Sequence, residues 1–348
     1  MRVLVTGATG FIGGHLVHYL VAQGHRVRAL VRCKDRELAL AEAGVELAWG
    51  ELTDPEAVRT AVNGVEAVSH LAAVRDAWGT PASVYQRVNV EGTRYLLEAA
   101  AEAGVRRFLY CSSVGVACYP GNLEADETLP FREPASQVFY HRSKAQAERM
   151  VLEWARAGRV PAVVVRPVIT YGPDDERGMV TRMVMLLAQG RFMLVGNGRD
   201  HVDLVYVDDL VAGMCLALER GAVGRVYILS GTAPIQARKL VAIICDLLGR
   251  HPPSIHVPAP IARAAGWGME TLYRAGDRLG VLDGKEPFIT CDKVGTLTMD
   301  WGFSHARARQ ELGYRPQVDY DEGLRRTLGW LQETGFLTKS LVPGLRKG

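Results

Sequence analysis

Short apolar runs alternate with amphipathic stretches along the chain up to Val165. Val3–Val5, Val27–Val31, Val45–Ala48, Ala67–His70, Phe108–Cys111 and Ala162–Val165 are β-branched or leucine-rich and bounded by Gly, Asp or charged residues. Runs this continuous predict parallel strands covered on both faces. Between them, His15–Gln23, Pro55–Val62, Val84–Ala103 and Ser136–Ala157 repeat their apolar positions at helical spacing. Strands alternating with helices build right-handed βαβ units. The predicted fold class is therefore α/β, a doubly wound parallel sheet of the Rossmann type.

After Arg166-Pro167 the rhythm changes. A Gly-, Pro- and Asp-rich loop (Tyr171–Gly178) precedes a predicted helix near Val180–Gln189, a glycine turn (Gly196-Asn197-Gly198) and a strand ending at Val207. A helix from Asp208, a strand at Val226–Leu229, a helix at Ala237–Leu248 and a helical stretch from Ile261 to Leu279 are expected next. A strand-like run at Phe288–Asp292 and helices at Ala306–Leu312 and Tyr320–Thr334 complete the pattern. The expected organisation is a dinucleotide-binding domain over 1–166, a smaller C-terminal α/β substrate lobe over 167–336 that partly returns to extend the sheet, and a loosely ordered basic tail over 337–348.

Composition narrows the partners. A chain of 348 residues, 48% hydrophobic, can bury one large core or two unequal lobes. Its 41 basic and 38 acidic residues are dispersed and leave a net charge of +3, which argues against a nucleic-acid surface. The six cysteines form no CxxC pair and no metal-ligand spacing with histidine, so reduced, buried thiols and no metal are expected. No basic leader followed by an apolar stretch opens the chain, and no window approaches the roughly 18 apolar residues of a spanning helix. The expectation is a cytoplasmic protein without stable membrane insertion, acting on a small molecule.

Thr6-Gly7-Ala8-Thr9-Gly10-Phe11-Ile12-Gly13 follows the first strand and opens the first helix. Gly7 would turn the chain sharply, Gly10 would let backbone N–H groups approach a pyrophosphate, and Gly13 would let helix and sheet pack closely. Three glycines alone are a weak signal; the strand before and the helix after make it a dinucleotide turn. An NAD site usually carries an acid at the end of the second strand. Here that end reads Ala29-Leu30-Val31-Arg32, with Lys34 and Arg36 beyond. A guanidinium suits a 2′-phosphate, so NADP is favoured and NAD stays open.

Tyr140 and Lys144 in Tyr140-His141-Arg142-Ser143-Lys144 lie four apart, on one helix face. An ammonium one turn away favours the phenolate of a phenol whose ordinary pKa is about 10. His141 and Arg142 are expected to face elsewhere. Together with the glycine turn, Asn89-Val90-Glu91-Gly92-Thr93, Ser112-Ser113 and Arg166-Pro167 through Tyr171-Gly172-Pro173, these residues make the chain resemble an extended short-chain dehydrogenase/reductase of the epimerase/dehydratase superfamily, over nearly its whole length. The resemblance implies that Ser113, with Ser112 the alternative, hydrogen-bonds the reacting oxygen, that Lys144 holds the nicotinamide ribose, and that Asn89 supports the site. It further implies Glu51 near the adenine, where the family usually shows Asp, and places Thr9, Phe11, Ile12, Leu52, Leu71, Ala72, Ala73 and Pro167 at the cofactor. A homodimer is expected by the same analogy.

Departures from the family narrow the activity. Val114-Gly115 follows Ser113 where 4,6-dehydratases carry an Asp-Glu pair. Val202 precedes Asp203 where sugar-nucleotide epimerases carry an arginine for the diphosphate, and Arg199 replaces it only if its loop is repositioned. The stretches Gly196–Asp209 and Asp292–Ala308, with Leu312-Gly313-Tyr314-Arg315-Pro316, are similar to the branch of 3β-hydroxysteroid dehydrogenases, sterol-4-carboxylate dehydrogenases and dihydroflavonol-type reductases. That branch implies an oxidoreductase moving a hydride between nicotinamide and a secondary alcohol or ketone on an apolar substrate. The alternative is a sugar-nucleotide epimerase using bound NAD(P) transiently. Ala264, Ala265, Trp267, Met269, Leu272 and Tyr273 would suit an apolar substrate or would simply pack the lobe.

Overall fold

The computed structural model describes residues 1–32, 37–75, 78–117, 121–131, 139–278, 287, 289–291, 294–295 and 298–337. Seven parallel strands form its central sheet: β1 (Arg2–Thr6), β2 (Arg26–Val31), β3 (Glu46–Trp49), β4 (Ala67–His70), β5 (Arg107–Cys111), β6 (Ala162–Pro167) and β7 (Val226–Leu229). Helices α1 (Phe11–Ala22), α2 (Glu37–Glu42), α3 (Pro55–Val62), α4 (Ala82–Tyr85), α5 (Gly92–Glu102) and α6 (Phe139–Arg156) connect the first six strands. They are followed by α7 (Met179–Ala188), α8 (Val207–Arg220), α9 (Ala237–Leu248), α10 (Ala259–Arg278), α11 (Ala306–Leu312) and α12 (Tyr320–Glu333).

The spatial order is β7-β6-β5-β4-β1-β2-β3. The order reverses between β1 and β4, where Thr6 is opposite His70, so a crevice opens at the carboxyl ends of these strands. The doubly wound sheet expected from the sequence is therefore present. Val226–Leu229, from the C-terminal half, returns to flank β6, with Val226 opposite Val164.

The pleat explains why the strand runs are apolar throughout. Val3, Val5, Val27, Ala29 and Val31 enter one core cluster, while Leu4, Leu30 and Val68 enter another. Helices α1 and α8 pack together over the first face, and α3, α5 and α6 cover the second. The inner strands are covered on both faces and lose the alternation of apolar and polar residues, while β3, at the edge, leaves Glu46 and Trp49 exposed.

Three sequence expectations change. Val84–Ala103, expected as one regular helix, is divided by a π-helical turn, Gln86–Glu91, between α4 and α5. Hydrophobic spacing cannot register one widened turn. Of Phe288–Asp292 only 289–291 are described, and none of these is a strand; the Cys291 amide donates to Glu270 Oε1 (2.7 Å) on α10 instead of to a neighbouring strand. Leu337, expected to begin a loose tail, is buried, and its amide donates to Leu331 O (2.8 Å), while 338–348 lie outside the described residues.

Cys111, Cys215 and Cys245 are buried free thiols and Cys291 is exposed; Cys33 and Cys118 lie outside the described residues. Tertiary structure adds a grouping that linear spacing does not show. His25 Nε2 lies 3.2 Å from Glu219 Oε1, and the Cys215 thiol donates to the same oxygen at 3.7 Å. Among the described residues, no helix is long and apolar enough to cross a membrane.

Candidate active site

The glycine turn sits at the end of β1, in the crevice. Gly7 adopts φ +75°, and a Cβ there would lie 2.8 Å from Ala72 N. A Cβ on Gly13 would lie 2.0 Å from Gly7 O, so α1 can approach the turn only without a side chain. Gly10 caps α1 with no side-chain hydrogen bond, and no acid occupies the first turn. The first N–H groups of α1 thus keep their positive end for an anion, which fits a dinucleotide diphosphate. Thr9, Phe11 and Ile12 belong to this same turn, Phe11 and Ile12 partly buried against the core.

The other residues expected at the cofactor surround this turn unequally. Leu71, Ala72 and Ala73 follow β4 as a half-buried segment whose backbone borders Gly7. Pro167 ends β6 opposite Leu229. Arg32 is exposed just past β2, and Lys34 and Arg36 lie outside the described residues. Glu51 is exposed past β3 and accepts from Thr53 Oγ1 (3.2 Å). Leu52 is buried against the start of α5, where a Cβ on Gly92 would lie 2.7 Å from its Cγ.

Helix α6 carries Tyr140 half-buried in its first turn and Lys144 one turn later. Lys144 is 3% exposed; its Nζ donates to Cys111 O (2.5 Å) and lies 4.3 Å from the centre of the Tyr110 ring. Burial pulls its pKa down from 10.5 to about 8, with Cys111 and Glu148 opposing the shift.

The two serines after β5 have separate environments. Ser112 is buried and donates to Glu148 Oε2 (2.5 Å), whose carboxylate also receives Arg166 (Nη2–Oε1 2.6 Å). Ser113 is only half-buried and caps the short 3-10 turn Val114–Val116, accepting from Gly115 N (3.1 Å). Its hydroxyl proton is available to a ligand, whereas that of Ser112 is committed to a carboxylate. His141 does not face away as expected. Its ring packs on Gly115, where a Cβ would lie 2.2 Å from its Cε1, so the Ser113 turn docks against the start of α6.

Asn89 is buried in the π turn and braces three segments. Its Oδ1 accepts from Val74 N (2.7 Å), and its Nδ2 donates to Val74 O (3.0 Å) and Ser143 Oγ (2.9 Å). Ser143 Oγ in turn donates to Tyr140 O (2.8 Å). Sequence reasoning missed Ser143 and the Glu148–Arg166 pair. The signal was an acid one turn after Lys144 on an otherwise apolar helix face, opposite an arginine in a buried strand.

Helix α10 is mostly exposed, including Ile261, Ala264, Ala265, Trp267 and Leu272, and Ala262 and Gly266 are its buried positions. It reaches the loop after β4 through Tyr273, whose ring meets Trp78 edge-on at 6.3 Å, and through Asp277, which accepts from Trp78 Nε1 (2.8 Å). Tyr85 stacks obliquely on Phe139, the residue before Tyr140, at 6.4 Å. Arg199 is exposed, its amide bonded to Asn197 Oδ1 (2.9 Å).

The NAD dependent epimerase/dehydratase family model matches residues 3–230. The chain belongs to that family. It is 36% identical over 341 residues to a 2-alkyl-3-oxoalkanoate reductase of Stenotrophomonas maltophilia, covering 94% of this chain and 98% of the relative. It is 32% identical over 341 residues to a 3 beta-hydroxysteroid dehydrogenase/Delta 5-->4-isomerase of Mycobacterium tuberculosis, covering 94% and 89%. The solved structure of gox2253 matches with a TM-score of 0.81 at 35% identity, covering 97% of this chain and 99% of the other. The resemblance read from the motifs is thereby borne out, as is an oxidoreductase using a nicotinamide cofactor.

Proposed function

We propose that this chain transfers a hydride between NADP, or less favourably NAD, and a secondary alcohol or ketone on a long-chain or polycyclic apolar substrate. One observation carries the reading. A buried ammonium, Lys144, sits one helical turn from the half-buried phenol of Tyr140, beside a serine that no acidic pair follows. The bound nicotinamide supplies or takes up the hydride. Lys144 stabilises the phenolate form of Tyr140 by proximity of charge. Tyr140 passes its proton to the substrate oxygen in reduction and recovers it in oxidation, while the Ser113 hydroxyl orients that oxygen. Asn89 acts at one remove, by holding Ser143 and so the first turn of α6.

The apolar substrate class is supported by Phe139 in that turn, whose exposed ring rests on the buried Tyr85, and by Trp78, whose ring meets Tyr273 of α10. The two relatives named above act, by their names, on a 2-alkyl-3-oxoalkanoate and on a 3β-hydroxysteroid, which supports the same class. A cytoplasmic homodimer belongs to the same reading; light scattering of the purified protein checks the dimer.

The experiment is turnover of NADPH or NADH against a long-chain β-keto acid, with wild type and Tyr140→Phe. The variant should lose about a hundredfold or more in kcat while keeping cofactor affinity. Undiminished activity in Tyr140→Phe refutes the mechanism, and interconversion of UDP-sugars without net cofactor use refutes the reaction class.

A further inference from the structure

His70 ends β4 fully buried, in a strand otherwise made of Ala67, Val68 and Ser69. Its Nδ1 lies 2.7 Å from Thr6 Oγ1, at the mouth of the glycine turn, and its Nε2 lies 2.9 Å from Thr93 Oγ1 at the start of α5. Donor counting sets the direction of both contacts. The Thr93 hydroxyl proton goes to Asn89 O (2.6 Å), so Thr93 Oγ1 must accept from His70 Nε2–H. His70 Nδ1 is then the acceptor, and Thr6 donates to it. Thr6 Oγ1 keeps a lone pair for Ala72 N (3.2 Å). Each of the two threonine hydroxyls in this relay donates once, and no proton is left over.

The relay has a meaningful end on each side. Ala72 is the backbone wall against which Gly7 turns. Asn89 aims its amide at Val74 and Ser143, and Ser143 bonds Tyr140 O. The segment between β4 and α4 is therefore pinned twice, at Ala72 through Thr6 and at Val74 through Asn89. Only a neutral imidazole joins the two ends in this way. It is a rigid ring with one donor and one acceptor at opposite corners, spanning the gap from the sheet to the helix layer. Burial, with the Lys144 charge adding to it, holds the His70 pKa down at about 3, so the ring keeps this single form across the working range.

We infer that His70 is a positioning residue, whose Nε2–H tautomer locks the cofactor turn to the π turn behind the catalytic helix, so that dinucleotide and Tyr140 are held in register. The inference rests on the hydride-transfer reading for its kinetic consequence, but not for its effect on cofactor binding. Loss of the Thr93 hydroxyl leaves the imidazole N–H buried without an acceptor and frees Asn89 O, which should loosen both ends together.

The test pairs Thr93→Val, which keeps shape and removes the hydroxyl, with Thr93→Ser, which restores it. NADH and NADPH are each titrated by fluorescence, and kcat and KM are measured on the β-keto acid. Thr93→Val should weaken binding of the preferred cofactor about tenfold and lower kcat by a similar factor, with Thr93→Ser within about twofold of wild type. A Thr93→Val protein that melts earlier but binds and turns over within about twofold of wild type overturns the inference. In parallel, 15N NMR of histidine-labelled wild type, which needs no variant to fold, should show His70 as the Nε2–H tautomer with no titration from pH 5 to 8; an Nδ1–H tautomer or titration in that range overturns it. If wild type binds cofactor yet reduces no ketone, the proposed reaction fails, while the binding titration and the NMR still decide the role of His70.

Discussion

Replacing Lys144 by Met should make the protein inactive and more stable. The side chain is fully buried, and moving its pKa from 10.5 to about 8 corresponds to about 3 kcal/mol by which burial disfavours the charged form. Losing the bond to Cys111 O and the contact with the Tyr110 ring offsets about 1 kcal/mol of that. A net gain on the order of 2 kcal/mol is expected at pH 7. The pH dependence identifies its source. Below pH 8 both folded and unfolded wild type hold the proton, and the whole cost is present. Between about 8 and 10.5 the unfolded chain binds the proton more tightly, so wild type gains stability on Lys144→Met as pH rises. Above 10.5 the advantage of the variant is gone. Urea unfolding of both proteins without cofactor, at pH 7, 8, 9 and 10, measures the difference directly, and other titrating groups cancel between the two. A variant no more stable at pH 7, or an advantage that does not change between pH 7 and 10, refutes the account of a charge held buried for function.

Glu148→Gln leaves the Arg166 charge buried without its counter-ion and should cost about 3 kcal/mol in urea unfolding, with most of it restored in a Glu148→Leu, Arg166→Met double variant. Burial pushes the Asp203 carboxyl up to about 7 against hydrogen bonds from the Phe303 and Gly231 amides. A raised carboxyl contributes stability that is complete below its ordinary 3.8 and is lost as pH rises through 7. Asp203→Asn should therefore gain about 2 kcal/mol on wild type between pH 5 and 8, and parallel unfolding curves would contradict this. Arg32→Asp should swing cofactor preference from NADPH toward NADH, read as the ratio of the two kcat/KM values; an unchanged ratio contradicts the assignment of Arg32 to a 2′-phosphate.

Much of this molecule was legible in its sequence because local physics determines it. Strands apolar on both faces have only one kind of home, a sheet covered by helices, and Gly7, Gly10 and Gly13 mark the sharp turn from the first strand into the first helix, the place proposed for a diphosphate. Tyr140 and Lys144 needed only helical periodicity to share a face. What tertiary structure alone decided is which polar atoms meet across elements. Ser112 differs from Ser113 in its bond to Glu148, which pairs with Arg166; these two lie 36 and 54 residues further along the chain from Ser112, on α6 and β6. The π turn that aims Asn89 widens one turn of a helix without disturbing its apolar stripe. His70 reads in sequence as the last residue of a buried strand. Its function as a two-ended bridge appears only when β1, β4 and α5 bring Thr6 and Thr93 to its two nitrogens, because a hydrogen bond depends on placement to a fraction of an ångström, and spacing along the chain carries no such information.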